Sequence, residues 1–288
     1  MRRAPLKLPA GVVIALDVGG TSVKSGLVDA SPAVVGPVRQ TPVDSGASAE
    51  ELLALFHRVV AGHVAELEGR ALRGVGAAFP NPFDYGRGVS LMRHKYAALY
   101  GADVGAAMRA ALPDPAPPIA FRNDAEAAVV GEARFGAGTP FRRVIGVTLG
   151  TGLGACFVAD GRAVRAGPEA TVGGELWDQP FQGAQADDWF SIRGLQARLG
   201  ADDIRAAAGR AAGGDAAMRA GFASFGDDLG RFLAPYVAQF RAEALLVLGG
   251  LAGAGAHFLP ALGAALPVPA LPGERGAHAA LLGAAADL

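Results

Sequence analysis

An apolar run, Val12-Val13-Ile14-Ala15-Leu16, ends in Asp17-Val18-Gly19-Gly20-Thr21, and a second, Val144 to Leu149, ends in Gly150-Thr151-Gly152. Each turn leads into another apolar segment, Val23 to Val28 and Gly154 to Val158. This repeated arrangement of strand, glycine-threonine turn and strand constrains the fold more than any other feature. Short apolar runs bounded by turn residues read as buried strands, and glycines let the backbone reverse tightly. The repeat implies two similar α/β halves with a crevice between them. Two unrelated glycine-rich hairpins would look the same in sequence.

The remaining pattern fits an α/β chain. Glu50 to Leu67 places apolar residues at spacings of three and four and reads as a helix. Gly74 to Phe79 is a strand that ends in Pro80-Asn81-Pro82, whereas Asp29 to Pro37 reads as turn. A helix over Gly101 to Leu112 stops at Pro113. Ile119 to Phe121 is strand, and either Asn123 or Asp124 caps a helix from Ala125 to Phe135. Asp160-Gly161 is a hairpin signal leading to Ala163-Val164. From Ala184 the pattern is mainly helical, broken at Gly213-Gly214. Ala244 to Leu248 returns to strand before Gly249-Gly250, and Ala277 to Leu288 reads as a closing helix.

Composition narrows the functional classes. The 288 residues are 51% hydrophobic and 18% charged, which supports a large core and argues against extended disorder. A net charge of -1 gives no electrostatic reason to expect nucleic acid or an anionic membrane. The single Cys156 cannot build a disulfide framework or, alone, a thiolate metal site. Met1-Arg2-Arg3-Ala4-Pro5-Leu6 is basic, but the apolar run after it is too short for a signal core. No stretch approaches the roughly 18 apolar residues of a membrane span. The expectation is a soluble, cytoplasmic protein.

The motifs point to phosphoryl transfer onto a hydroxyl, each beside a plainer alternative. Gly19-Gly20-Thr21 can turn backbone N–H groups toward a phosphate, with Thr21 and Lys24 adding donors. A carboxylate beside phosphates needs a cation between them, so Asp17 suits Mg²⁺ held through water. The plainer reading is an ordinary hairpin turn. Gly150-Thr151-Gly152-Leu153-Gly154 departs from a dinucleotide fingerprint, because a strand follows instead of a helix. Gly249-Gly250 fits either an adenine nucleotide or a simple strand-to-helix turn. Asp124 reads as a general base toward a substrate hydroxyl or as a helix cap. Glu175 is a substrate contact or a surface-turn residue, and His94 and Lys95 are site residues or a solvated loop. His57, His63, His257 and His278 lack partners at metal spacing and read as structural.

Asp17-Val-Gly-Gly-Thr-Ser-Val-Lys24, Asn123-Asp-Ala-Glu-Ala-Ala-Val-Val-Gly-Glu132 and Leu149-Gly-Thr-Gly-Leu-Gly154 together resemble the ROK family of sugar kinases and repressors. Val247-Leu-Gly-Gly250 and Ala280-Leu-Leu-Gly-Ala284 continue the likeness to the C-terminus. The resemblance implies an actin-like ATPase, hexokinase-type α/β fold with two domains flanking a cleft. Residues 1–122 would form the N-terminal domain, with a C-terminal helix at about 276–288 packing back on it, and 123–275 the C-terminal domain. It implies Asp124 as catalytic base, with Asn123 and Glu175 on the sugar. The turns at 19–21 and 150–152 would take the nucleotide phosphates, and Gly249-Gly250 the adenosine. ATP, Mg²⁺, a small-molecule sugar and a homodimer follow by the same resemblance, with polyphosphate an open alternative donor.

Three departures from the family pattern stand out. Glu175 is followed by Leu176-Trp177-Asp178, without the usual histidine, and Gln179 to Leu195 lacks the cysteine-rich zinc motif, so no structural zinc is expected. The loop that usually supplies a sugar-binding asparagine reads Ser90-Leu91-Met92-Arg93-His94-Lys95-Tyr96. Arg93, His94 and Lys95 suit an anionic group, so within the expected class, a hexose or a modified sugar, they point to a charged or modified one. Two rival readings remain. A DNA-binding repressor is disfavoured because only sixteen residues precede Asp17. A catalytically inactive sugar sensor is favoured by the missing histidine and opposed by Asn123-Asp124.

Overall fold

The structure, a computed structural model, describes residues 10–288; the basic Met1–Leu6 stretch lies outside them. The chain divides into two compact units, Glu132–Gly276 and a second that ends at Gly131 and takes up Ala277–Leu288.

The first unit opens with the apolar strand β1 (Val12–Val18), which turns into antiparallel β2 (Ser22–Asp29) with Val18 opposite Val23. β3 (Val34–Pro42) adds to β2 across a register shift between Ser25 and Leu27. This strand covers residues expected to be turn. Gly36, Pro37 and an exposed outer edge mask it in the sequence, since an edge strand need not alternate cleanly. Helix α1 (Ala49–Val64) starts with a capping box in which Ser48 and Glu51 satisfy each other's backbone N–H groups. It buries Leu52, Phe56 and Val60 against Ile14, Leu16 and Phe79.

β4 (Leu72–Phe79) lies parallel to β1, and the short ladder of β5 (Phe83–Asp84) with β6 (Val89–Ser90) follows. The helix expected over 101–112 is only α2 (Val104–Arg109), because Asp103 caps it and Gly101 stands at φ +78°. β7 (Ile119–Asn123) joins parallel to β4 and runs directly into α3 (Asp124–Phe135). The sheet order is β3-β2-β1-β4-β7.

The second unit repeats this plan. β8 (Arg143–Leu149) hairpins into β9 (Leu153–Ala159), and β10 (Arg162–Val164) extends the edge. A small ladder, β11 (Pro180–Phe181) with β12 (Ala184–Gln185), precedes α4 (Ala186–Phe190), α5 (Ile192–Leu199), α6 (Ile204–Ala212) and α7 (Ala216–Phe240). Gly213-Gly214 falls between the last two, as the sequence indicates. β13 (Ala244–Leu248) lies parallel to β8, followed by α8 (Gly255–Ala264) and β14 (Ala270–Pro272), for an order of β10-β9-β8-β13-β14. Both sheets thus carry a glycine-turn hairpin beside parallel strands, the duplication that the repeated motif implied.

The chain then returns to the first unit as α9 (Ala279–Ala284), shorter than the expected 277–288 helix. Its alanines meet Ala78 and Ala127 in an apolar cluster. A Cβ on Gly283 would overlap the Ala127 carbonyl, so this approach requires glycine. The contact also moves the boundary between units. It falls after Gly131, inside α3, rather than before Asn123, because the first two turns of α3 pack with α9. Among the described residues no helix is long and apolar enough to cross a membrane.

Candidate active site

Three neighbouring parallel strands bring their carboxyl ends to one edge of the first sheet. Asp17 stands opposite Ala78 in the β1–β4 ladder, and Phe79 opposite Asn123 in the β4–β7 ladder. With strands about 4.8 Å apart, the Asp17 and Asn123 positions lie roughly 10 Å from each other. Carboxyl edges of this kind are where open α/β sheets bind ligands.

Asn123 takes the helix cap: its Oδ1 accepts the Glu126 N–H at 3.0 Å. Asp124 is therefore released from capping and becomes the first residue of α3, with its Oδ1 accepting the Ala125 N–H at 2.8 Å. Asp124 is only partly exposed, and burial pushes its carboxyl above the usual range; the Ala125 N–H, the Lys95 charge and Asn123 oppose this without reversing it. Asp17 is also raised. Burial is the main cause, the Lys24 ammonium 3.7 Å away opposes it, and the Asp124 charge adds to it. Two acids that feel each other at one edge form a place where a hydroxyl proton can be accepted and where a cation relieves repulsion.

Tyr85, which the sequence reading did not single out, organises this edge. Its hydroxyl lies 2.7 Å from Asn81 Oδ1 and 3.0 Å from the Phe79 carbonyl, and Asn123 Nδ2 approaches it at 3.5 Å. One phenol thus links the ends of β4 and β7. Tyr96 is a second such residue: its ring is buried and its hydroxyl donates to the Gly19 carbonyl. That carbonyl is thereby engaged by protein. A Cβ on Gly20 would meet no protein atom within 4 Å, so open space faces the turn. Thr21 is exposed there. Arg93, His94 and Lys95 are all exposed; the Arg93 guanidinium lies 3.7 Å from the centre of the Tyr100 ring, and Lys95 is near enough to act on Asp124.

Gly150-Thr151-Gly152, Glu175 and Gly249-Gly250 belong to the second unit. Its turn is built like the first. The Gly150 carbonyl accepts the Ile192 N–H at 2.8 Å, and the space in front of Gly150 is again empty of protein within 4 Å. Asp187 braces the turn from behind: its Oδ1 accepts the Leu153 N–H at 2.6 Å, and Arg193 lies 3.2 Å from its Oδ2. Glu175 Oε2 accepts the Trp177 indole N–H at 2.8 Å. Trp177 is 43% exposed, so its indole orients this carboxylate at the surface.

Gly249, at φ +88°, packs so tightly on the Leu149 backbone that a side chain would overlap it; its glycine serves the fold. Gly250 instead lines a cavity of about 580 Å³ with Ile192, Ile204, Arg205 and Leu251. The mixed apolar and polar wall suits a planar heterocycle with polar edges. The stretch from Gln179 to Leu195 is held by Phe181 packed against Trp189, Phe190 and Phe232, and by Gln182, whose Nε2 donates to Asp228 Oδ1 at 3.3 Å.

The ROK family pattern matches residues 13–176, more than half of the chain. The chain belongs to the ROK family. This ROK protein is 32% identical over 162 residues to a glucokinase of Streptomyces coelicolor (strain ATCC BAA-471 / A3(2) / M145). The match takes in 50% of the chain and 42% of that relative, so the chain spans less than half the length of the curated relative it matches. Among solved structures, a protein of Cytophaga hutchinsonii ATCC 33406 superposes with a TM-score of 0.81 at 23% identity, covering 96% of this chain and 99% of the other. At that identity the likeness concerns the fold. The inorganic polyphosphate/ATP-glucomannokinase of Arthrobacter sp. strain KM is 27% identical with a TM-score of 0.71, covering 96% and 98% of the two chains. The ROK protein therefore has the α/β fold of the ROK hexokinases and glucokinases, the actin-like ATPase fold.

Proposed function

We propose that this ROK protein transfers the terminal phosphoryl group of ATP to a hydroxyl of a hexose or modified sugar, with Asp124 as general base. The observation that carries this reading is the Asn123-Asp124 pair, in which Asn123 caps the helix and Asp124 is left with a raised carboxyl. Relatives that act on sugars support the substrate class.

In this reading the sugar hydroxyl donates its proton to Asp124 as the oxygen attacks phosphorus. A base whose pKa lies closer to neutrality than an ordinary carboxylate accepts that proton with less driving-force deficit. Asn123, Glu175 and the Arg93–Lys95 loop orient the acceptor, while the turns at Gly19–Thr21 and Gly150–Gly152 hold donor phosphates by backbone N–H groups. The cavity at Gly250 takes the adenosine. Mg²⁺ fits the site through Asp17, whose neighbouring acid makes a nearby cation favourable. Asp17 would hold the ion, with water and donor phosphate oxygens as its other ligands. The ion supplies charge neutralisation on the phosphoryl oxygens. A cytoplasmic homodimer belongs to the same reading, and light scattering tests the dimer.

The deciding experiment measures ADP release and sugar phosphate formation over a panel of neutral and charged sugars, with ATP or polyphosphate as donor. Sugar-dependent turnover well above hydrolysis by water is the expected result. Sugar binding by calorimetry without phosphorylation by either donor would favour the inactive sensor, to which Trp177-Asp178 in place of the family's histidine pattern lends some weight.

A further inference from the structure

A second cavity, of about 390 Å³, lies in the first unit, and neither Asp17 nor Asp124 belongs to its lining. Its floor is Ile119 and Phe121 of β7, and two arginines, Arg87 and Arg109, stand in its wall. Both residues are exposed, and among the described residues neither guanidinium group has a hydrogen-bond or ion-pair partner. Three other arginines of this unit are engaged: Arg39 with Glu66, Arg70 with Glu68, and Arg122 with Glu126 and Asp287.

One acid lines the cavity with these two arginines and offsets only part of their charge. Asp103 turns its Oδ1 to the Ala106 N–H at 2.8 Å and so caps α2. The backbone that carries Arg87 is held in place, since Asp84 Oδ1 accepts the Gly86 and Arg87 N–H groups at 3.1 and 3.0 Å. The floor is equally fixed: the Phe121 ring packs on Phe83 with centroids 5.3 Å apart. Two guanidinium groups against one carboxylate, over a firm apolar floor, leave an excess of positive charge that matches a small anion carrying carbon surface.

We propose that this cavity binds a small phosphate ester, its phosphate held by Arg87 and Arg109 and its carbon skeleton resting on Ile119 and Phe121. Guanidinium forks match phosphate oxygens in geometry as well as charge, and two of them suit a dianion better than a monocarboxylate.

The test is calorimetric titration of the whole chain, without nucleotide, using glucose 6-phosphate, inorganic phosphate and glucose as probes. The expected result is tighter binding of glucose 6-phosphate than of inorganic phosphate, persisting when glucose is saturating. Arg87→Gln together with Arg109→Gln should weaken it at least about tenfold, as expected for losing charged hydrogen bonds. Neither residue belongs to the proposed catalytic machinery, so sugar-dependent ADP release should be unchanged in the variant. Equal affinity in the double variant, or displacement by glucose, would overturn the proposal. Because the readout is binding without turnover, absence of kinase activity leaves the result interpretable.

Discussion

Replacing Tyr85 by Phe removes a single oxygen while keeping the ring that packs on Phe83. That oxygen lies within hydrogen-bond distance of Asn81 Oδ1 and the Phe79 carbonyl, at 2.7 and 3.0 Å, and Asn123 Nδ2 reaches it at 3.5 Å. The phenol has one hydrogen to share, and the longest contact is weak, so the loss amounts to about one neutral hydrogen bond, roughly 0.5–1.5 kcal/mol. Asn123 keeps its cap to Glu126, so α3 still starts at Asp124 and the base stays in place. The Asn123 amide, assigned to the sugar, loses its contact with the phenol. At about 1.4 kcal/mol per factor of ten, the acceptor KM should rise about two- to tenfold, with kcat changed less than about threefold. Steady-state kinetics with the best acceptor, alongside a thermal melt, reads both quantities. A lowered melting temperature with unchanged KM would refute the reasoning, since Tyr85 would then serve only the fold.

Gly150→Val should leave the melting temperature nearly unchanged, because no protein atom lies within 4 Å of the added Cβ, yet raise the nucleotide KM at least about tenfold by filling the phosphate space; ordinary ATP kinetics would discredit the turn as a phosphate site. The acid limb of kcat/KM should lie above the usual carboxylate range, with activity lost as pH falls and Asp124 gains its proton, and Lys95→Met should move the limb higher by removing a charge that favours the carboxylate. A limb that stays put in this variant would remove Lys95 from the site. Buried His63, bonded to Ser25 Oγ at 2.9 Å, is held down to about 4, mainly by burial and next by Arg39. Unfolded chains take up that proton below about 6.5 and the folded one only near 4, so this residue lowers stability as pH falls from 6.5 to 4. Melting curves of His63→Gln should be flatter across that window.

What could be read from the sequence was local. β1 with β2 and β8 with β9 announce themselves as apolar runs around glycine turns, and Asn123-Asp124 as a helix start. β3 escaped because its outer edge is exposed and its glycine and prolines mimic a turn. Asp187 and Tyr85 escaped for another reason: each acts on a residue far along the chain, Leu153 at a separation of 34 and Asn123 at 38. No spacing rule links such positions before the fold brings them together. The unit boundary inside α3 was hidden because the helical pattern runs through it without a break, and only contacts with α9 divide it. Gly249 shows the converse, a motif glycine whose backbone packing on Leu149 is sufficient reason for it.

The account rests on Asp124 as the group that accepts the hydroxyl proton, and Asp124→Asn tests this with almost no change in shape. Single-turnover phosphoryl transfer to the best acceptor sugar should fall at least about 10²-fold, with sugar and nucleotide dissociation constants changed only slightly. Transfer at the wild-type rate in this variant, under the same saturation, would contradict the central claim.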